Sequence, residues 1–242
     1  MKICLVQTKP TRGAVAANIT SHLQLAERAI AAGADCIIFP ELSLTGYEPS
    51  LANSLATTPE DVCFAPFQTL SNTHHVTIGI GMPLRQQNGI TISMLLFYPN
   101  QKPTVYAKQY LHEDEEAFFV PGKNNNFFIS QEPKIAPAIC YELSVPAHAE
   151  QALQNGATFY LASVAKTATG VTKAAERLAQ LAKDHSITTL LVNSVGDCED
   201  GLCAGQSAVW NTDGKRLVQL GEKDEGLLLL DIATGKAEII AC

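Results

Sequence analysis

The 242-residue chain contains no run approaching the ~18 consecutive apolar residues of a membrane span. Its opening, Met1-Lys2-Ile3-Cys4-Leu5-Val6-Gln7, is interrupted too soon by Thr8, Lys9 and Pro10 to serve as a secretory signal. There is no block of one charge: 17 basic and 24 acidic residues are dispersed, for a net charge of −7. A nucleic-acid binder needs a basic face to exchange for condensed counterions, so no nucleic-acid or membrane partner is expected. No stretch rich in Pro, Gly or Ser divides the chain, and a composition that is 46% hydrophobic can build one sizeable core. A single domain over residues 1–242 is therefore expected. Seven cysteines, an odd number without a secretory signal, argue against a disulfide scaffold and for reduced thiols in the cytoplasm. A metal set is lacking too. His74 and His75 are adjacent and point to opposite faces if extended. Cys198 and Cys203 have no second ligand pair at zinc spacing and read as loop thiols.

What the chain does contain is an alternation of short apolar strands and amphipathic helices. Ile3 to Gln7 reads as a strand, and Val15 to Ala32 as a helix in which Ile19, Leu23, Ala26 and Ile30 recur at helical spacing before Gly33 stops it. Strand Cys36 to Phe39 follows, then a loop rich in Ser, Thr, Gly and Pro that reaches Pro59. A second helix is predicted over Pro59 to Thr73. Strands Val76 to Gly81 and Ile90 to Tyr98 flank an Asn88-Gly89 turn, a hairpin signal. Further strands are predicted at Val105 to Ala107, Ile135 to Ile139, Thr158 to Ala162 and Ile187 to Val192. Helices at Pro146 to Gly156 and Thr172 to His185 separate the later ones. A hairpin turning at Asp213-Gly214 joins Ser207 to Trp210 with Arg216 to Leu220, and Gly226 to Ile232 ends the sheet. This alternation predicts an α/β fold.

Three strand ends carry chemistry. Glu41 closes Cys36-Ile37-Ile38-Phe39-Pro40, Lys108 closes Val105-Tyr106-Ala107, and Cys140 closes the strand that begins at Ile135. Open α/β sheets bind ligands at their carboxyl edge, so each side chain is well placed for a cleft. A buried thiol is the commoner fate of a free cysteine. A thiol, a carboxylate and an ammonium at three strand ends of one chain instead supply a nucleophile, a base and a positive charge for a developing oxyanion.

The segments Phe39-Pro40-Glu41-Leu42-Ser43-Leu44-Thr45-Gly46-Tyr47, Tyr106-Ala107-Lys108 and Ile139-Cys140-Tyr141-Glu142 resemble, in order and separation, the three motif regions of the nitrilase (carbon-nitrogen hydrolase) superfamily. Supporting matches are Glu115 with Phe119, Pro121 and Gly122, then Asn193 to Gly196, Gly205-Gln206-Ser207 and Asp213-Gly214. The resemblance implies a four-layer α-β-β-α sandwich and a cofactor-free, metal-free enzyme. It implies that Glu41, Lys108 and Cys140 form the catalytic set, with Glu115 orienting Lys108. For the substrate pocket it implies Tyr47, His112, Phe118, Tyr141, Ser163, Val164 and Ala165, within loops that extend to Lys166. Tyr47 reads equally well as a loop anchor packed on the core. The expected reaction is hydrolysis of a small amide or N-carbamoyl compound through a thioester, with nitrile hydrolysis or a non-catalytic small-ligand-binding role as alternatives.

The chain departs from the family at Ser144, Val145, Pro146 and Ala147, where most members carry Arg, Phe, Pro and Glu, and at Ala165, where many carry Trp. Asp184 stands where relatives usually have Glu. The smaller Ala165 implies a reshaped pocket. Relatives pack the two later helices across a two-fold axis, and Ala147, Ala149, Ala152 and Leu153 offer a small apolar face for that contact, so a homodimer is expected. A face buried within the chain would carry the same pattern.

Overall fold

The computed structural model describes residues 1–124 and 126–240; Cys242, one of the seven cysteines, lies outside the described residues. The elements run in the order β1 (Lys2–Gln7), α1 (Val15–Ala31), β2 (Cys36–Ile38), α2 (Ala52–Leu55), α3 (Ala65–His74), β3 (Thr77–Gln86), β4 (Gly89–Phe97) and β5 (Thr104–Ala107). They continue with β6 (Ser130–Gln131), β7 (Lys134–Ile139), α4 (Pro146–Gln154), β8 (Phe159–Val164), α5 (Ala168–His185), β9 (Thr188–Asn193), β10 (Val195–Cys198) and β11 (Gly201–Ala204). The last four are β12 (Ala208–Trp210), β13 (Arg216–Gln219), β14 (Gly226–Asp231) and β15 (Lys236–Ile240). One sheet has the order β15-β14-β1-β2-β3-β4-β5, the other β13-β12-β9-β8-β7-β6, and β10 pairs with β11 apart from both.

Alternation along the strands sorts side chains into layers. Ile3 and Leu5 of β1 point inward with Ile135 and Ile139 of β7, Leu161 of β8 and Val192 of β9, so the two sheets share one apolar seam. The intervening Cys4 and Val6 face outward onto Leu25, Ala26 and Ala29 of α1 and Phe67 of α3. On the other sheet, Ala136, Ala138, Tyr160 and Ala162 face Ala149 of α4 and Ala174, Leu178 and Ala182 of α5. Helix, sheet, sheet, helix is the four-layer sandwich that the sequence resemblance implies.

Strand direction brings the chemistry to one edge. β1, β2 and β3 are parallel, and β5 regains their direction because β4 is antiparallel to both β3 and β5. Glu41 and Lys108 therefore leave the same edge of the first sheet. β7, β8 and β9 are also parallel, so Cys140, the Ser163 to Lys166 segment and Asn193 leave one edge of the second.

Several boundaries differ from the sequence reading, each for a local reason. The predicted helix Pro59 to Thr73 is a 3₁₀ turn at Val62–Phe64, capped by Asp61 accepting from the Cys63 N–H, followed by α3, which has Pro66 in its first turn. Helix α5 starts at Ala168 rather than Thr172; Thr169 and Gly170 are weak helix formers, but burial of Val171 holds that turn in place. The expected loop around Cys198 and Cys203 is the β10–β11 hairpin. The sheet does not end at Ile232: β15 pairs antiparallel with β14 over Lys236–Ile240. On α4, Ala149, Ala152 and Leu153 pack on the second sheet and only Ala147 of the four is exposed, so the apolar face read as a dimer surface serves the chain's own core.

Glu41 owes its position to a close backbone crossing. The Gly81 carbonyl accepts from the Leu44 N–H at 3.0 Å, and its own N–H donates to Ser43 Oγ at 3.2 Å. A Cβ on Gly81 would lie 2.3 Å from both the Leu42 nitrogen and the Pro40 oxygen, which are main-chain atoms that cannot turn aside. Gly81→Ala should therefore lower stability by about 1–3 kcal/mol, the usual cost of overpacking, in a denaturant titration. An unchanged unfolding midpoint would show that the Pro40–Leu42 turn is not held by this crossing.

Candidate active site

Lys108 ends β5 with 0% of its surface exposed, and its ammonium donates to Glu41 Oε1 at 2.8 Å and to Glu115 Oε1 at 2.6 Å. Glu41 is 2% and Glu115 1% exposed. Each carboxylate has further donors, as buried acceptors require. Glu41 Oε2 accepts from the Ala165 N–H at 3.2 Å, Glu115 Oε1 from the Tyr47 hydroxyl at 2.9 Å, and Glu115 Oε2 from the His112 N–H at 2.8 Å. Three segments, 41–47, 108–115 and the one holding Ala165, thus close on one buried charge cluster.

The electrostatics follow from two carboxylates sharing one cation away from water. Burial raises the Glu41 pKa above the ordinary carboxylate value; Lys108 opposes this and Glu115 adds to it. Burial also works against the Lys108 charge, but Glu41, Cys140 and Glu115 together outweigh it and its pKa rises. Burial, helped by the Glu41 charge, pushes the Cys140 thiol up to about 11, while Lys166 and Lys108 pull the other way. At neutral pH the sulfur accordingly keeps its proton and needs a base to lose it.

Cys140 occupies a left-handed backbone conformation, with φ of 45°, at the junction of β7 and a 3₁₀ turn that runs Cys140–Ser144. Such a conformation costs a non-glycine residue roughly 1–3 kcal/mol and persists only where its surroundings hold it. Glu142 does the holding. Its Oε2 accepts from the Ile139 N–H at 2.7 Å and the Tyr106 hydroxyl at 2.8 Å, and its Oε1 accepts from the Gln109 N–H at 2.6 Å. One buried carboxylate therefore ties the residue before Cys140 to the residue after Lys108. His148 extends the network, bonding the Tyr106 hydroxyl through Nε2 and the Tyr160 hydroxyl through Nδ1, both at 2.8 Å. Burial moves Glu142 up to about 7 and His148 down to about 4.

A cavity of about 220 Å³ opens beside Cys140 and is lined by Tyr47, His112, Tyr141, Ala165 and Lys166, with Asp114 and Asp200 among its acidic residues. Of the pocket residues named from sequence, Tyr47, His112, Tyr141 and Ala165 therefore meet at Cys140. Three do not. Phe118 is exposed and does not line the cavity. Ser163 is buried and donates to the Phe39 carbonyl at 3.1 Å, joining the two sheets. Val164 points to the opposite face and packs in the core beneath α5, because successive residues of a strand alternate. Tyr47 plays both parts weighed for it, lining the cavity and anchoring its loop to Glu115.

Sequence reasoning assigned no role to Glu142 or Asn193, although each lies in a segment it quoted, and it placed Lys166 only within a pocket loop. Asn193 is buried and brackets Lys166: its Oδ1 accepts from the Lys166 N–H at 2.8 Å and its Nδ2 donates to the Lys166 carbonyl at 3.0 Å. A side chain that can donate and accept at once, at the end of β9 beside the end of β8, was the available signal. Cys198 and Cys203 lie on the nearby hairpin as free thiols, as do Cys36, Cys63 and Cys140 elsewhere. Among the described residues no group of three or more His, Cys, Asp or Glu side chains is arranged to hold a metal ion.

Two outcomes test this geometry. Glu142→Gln replaces one acceptor oxygen by an NH₂ group that faces N–H donors, so a stability loss of about 1–3 kcal/mol is expected; a wild-type melting curve would remove Glu142 from its bracketing role. Alkylation of Cys140 by a small neutral reagent, followed by mass spectrometry of its peptide, should keep accelerating as pH passes 9.0, the ordinary thiol value. A plateau below that pH would contradict a thiol held in its protonated form.

The chain is similar to several known proteins. A mutant amidase from Nesterenkonia sp. AN1, carrying the product of Michael addition of acrylamide at its active-site cysteine, superposes with a TM-score of 0.84 and 24% identity, over 96% of this chain and 93% of that one. Another crystal structure of an amidase from Nesterenkonia sp. gives a TM-score of 0.85 at 24% identity, over 96% and 90%. In sequence, the glutamine-dependent NAD(+) synthetase of Synechocystis sp. is 26% identical across 97% of this chain but only 47% of its own length, so the chain spans about half of that relative. A hydrolase of Pseudomonas protegens, encoded in the pqqF 5′ region, is 25% identical across 95% of this chain and 81% of its own. The carbon-nitrogen hydrolase profile matches residues 2–239, nearly the whole chain, and with the four-layer fold in place the chain belongs to the carbon-nitrogen hydrolase family.

Proposed function

We propose that this protein is a cysteine-dependent amidase that hydrolyses a small amide or N-carbamoyl compound. The observation that carries the reading is a thiol beside a buried base and cation: Glu41 and Glu115 bond Lys108, Cys140 and Glu115 line one cavity, and Cys140 feels the charges of Glu41 and Lys108. In this reading Glu41, whose raised pKa suits proton transfer, takes the thiol proton of Cys140. The sulfur forms a bond to the amide carbon, giving a tetrahedral intermediate. Lys108 and the Tyr141 N–H, in the first turn after Cys140 where helical acceptors are lacking, stabilise its oxyanion. Glu41 returns the proton to nitrogen, the C–N bond breaks, and ammonia or an amine leaves a thioester. Water then gives a proton to Glu41, adds to the thioester carbon and releases the carboxylate as the sulfur recovers its proton.

Support comes from a mutant of the Nesterenkonia sp. AN1 amidase that shows covalent addition of the acetamide moiety of fluoroacetamide at its active-site cysteine. The fold and family do not depend on that likeness; the reaction class does draw on it. A panel of small amides, ω-amides and N-carbamoyl compounds, read by ammonia release, tests the proposal. At least one should turn over, Cys140→Ala should abolish that turnover, and Lys108→Met should slow it at least ~10²–10³-fold, as loss of an oxyanion donor does elsewhere. Turnover of none, or wild-type turnover by Cys140→Ala, would overturn it.

A further inference from the structure

We infer that Lys166 selects substrates, and that the preferred amide carries a carboxylate at the end of its acyl chain remote from the scissile group. The inference rests on the amidase reading above and concerns which amide the cavity takes. The two lysines of the site differ in availability. Lys108 has no exposed surface and its ammonium already bonds Glu41 and Glu115. Lys166 is partly exposed, lines the same cavity as Cys140, and takes part in no ion pair among the described residues. His112, the other basic residue on the wall, already pairs with Asp114 at 2.6 Å.

Lys166 is also held in place. Its N–H and carbonyl are bracketed by Asn193, and the Ala204 N–H donates a further bond to the same carbonyl at 3.0 Å. Gly170 leaves room for its stem: a Cβ there would lie 3.4 Å from the Lys166 Cβ and 3.5 Å from its Cγ. A lysine with a fixed backbone, a supported stem and no partner, facing the nucleophile's cavity, is a preorganised site for an anion. Asp114, Glu115 and Asp200 also line the cavity and repel an anion, which leaves Lys166 as the unpaired cation among the lining residues for a substrate carboxylate. Ala165, next to Lys166 on the wall, adds little bulk to the same cavity.

Lys166 also lowers the Cys140 and Glu41 pKa values through its charge. Its removal is therefore expected to slow every substrate, and the test must read a ratio. The probes are butyramide and the same chain bearing an ω-carboxylate, the monoamide of glutaric acid, compared by kcat/KM from ammonia release. Wild type should favour the monoamide, and Lys166→Gln should cut the ratio of the two constants at least ten-fold, mainly through KM of the monoamide. Lys166→Arg should restore most of the preference. A ratio unchanged by Lys166→Gln, or a wild-type preference for butyramide, would overturn the inference while leaving the amidase reading standing. Turnover of no amide by wild type would overturn both.

Discussion

An ammonium without access to water sits between two carboxylates, and the rest of the site is arranged around keeping it there. Lys108, Glu41 and Glu115 are each essentially inaccessible. Three charges in such a setting are expensive to desolvate and are held by one another and by a hydrogen bond to every carboxylate oxygen; removing one member of such a set typically costs about 3–5 kcal/mol. The partners come from the turn after β2, the end of β5, the segment after β8 and the short turn at Glu113–Glu115. The trio therefore joins both sheets at their shared edge as well as supplying charge. Two carboxylates against one cation leave a net negative charge. Glu115 adds to the rise that burial gives the Glu41 pKa, and the Glu41 charge adds to the rise that burial gives the Cys140 thiol.

Glu142 makes the corresponding joint on the backbone. The first trio fixes side chains; Glu142 fixes the peptide group before Cys140 and the one after Lys108, accepting from Ile139 and from Gln109. Without that bracket nothing adjacent would oppose relaxation of Cys140 from its left-handed conformation toward an ordinary strand end. The network that continues through Tyr106, His148 and Tyr160 reaches α4, so the helix whose small residues pack on the sheet also sends a polar side chain to support the Cys140 turn. This gives a physical reason for a buried neutral histidine at a position where an apolar residue would pack equally well.

The layers and the strand-end residues were legible because both depend on local pattern. Period-two alternation in β1, β7 and β8 decides which side chains enter the seam between the sheets, and an apolar strand that stops at Glu41, Lys108 or Cys140 marks a sheet edge. The same alternation could have removed Val164: with Leu161 inward, Ser163 is inward and Val164 outward, so the two cannot both reach a cavity between the sheets. Strands β10 and β15 were hidden by Asp197, Glu199 and Asp200 in or beside one and Lys236 and Glu238 in the other, since exposed edge strands carry charges that mask the apolar signal. The role of α4 was not decidable from pattern, because a face that packs on a sheet and a face that packs on a second copy have the same composition. Contacts such as Asn193 with Lys166 join residues on neighbouring parallel strands and exist only once the register of β8 and β9 is set.

The two lysines show how one residue type serves two purposes through surroundings alone. A lysine enclosed by carboxylates, like Lys108, keeps its charge at every accessible pH and offers a fixed positive point, which suits an oxyanion that forms and disappears within a turnover. Lys166 has its main chain fixed and its ammonium left over, which suits a ligand that arrives from solvent. The distinction comes from Asn193. A buried amide that takes both hydrogen bonds of the Lys166 peptide removes any need for the side chain to stabilise its own loop. Small residues on either side, Ala165 in the wall and Gly170 in the first turn of α5, then leave that side chain room along the cavity. In this arrangement a small side chain at Ala165 and a cation at Lys166 are neighbours on one cavity wall, so the proposed substrate would meet space and charge together.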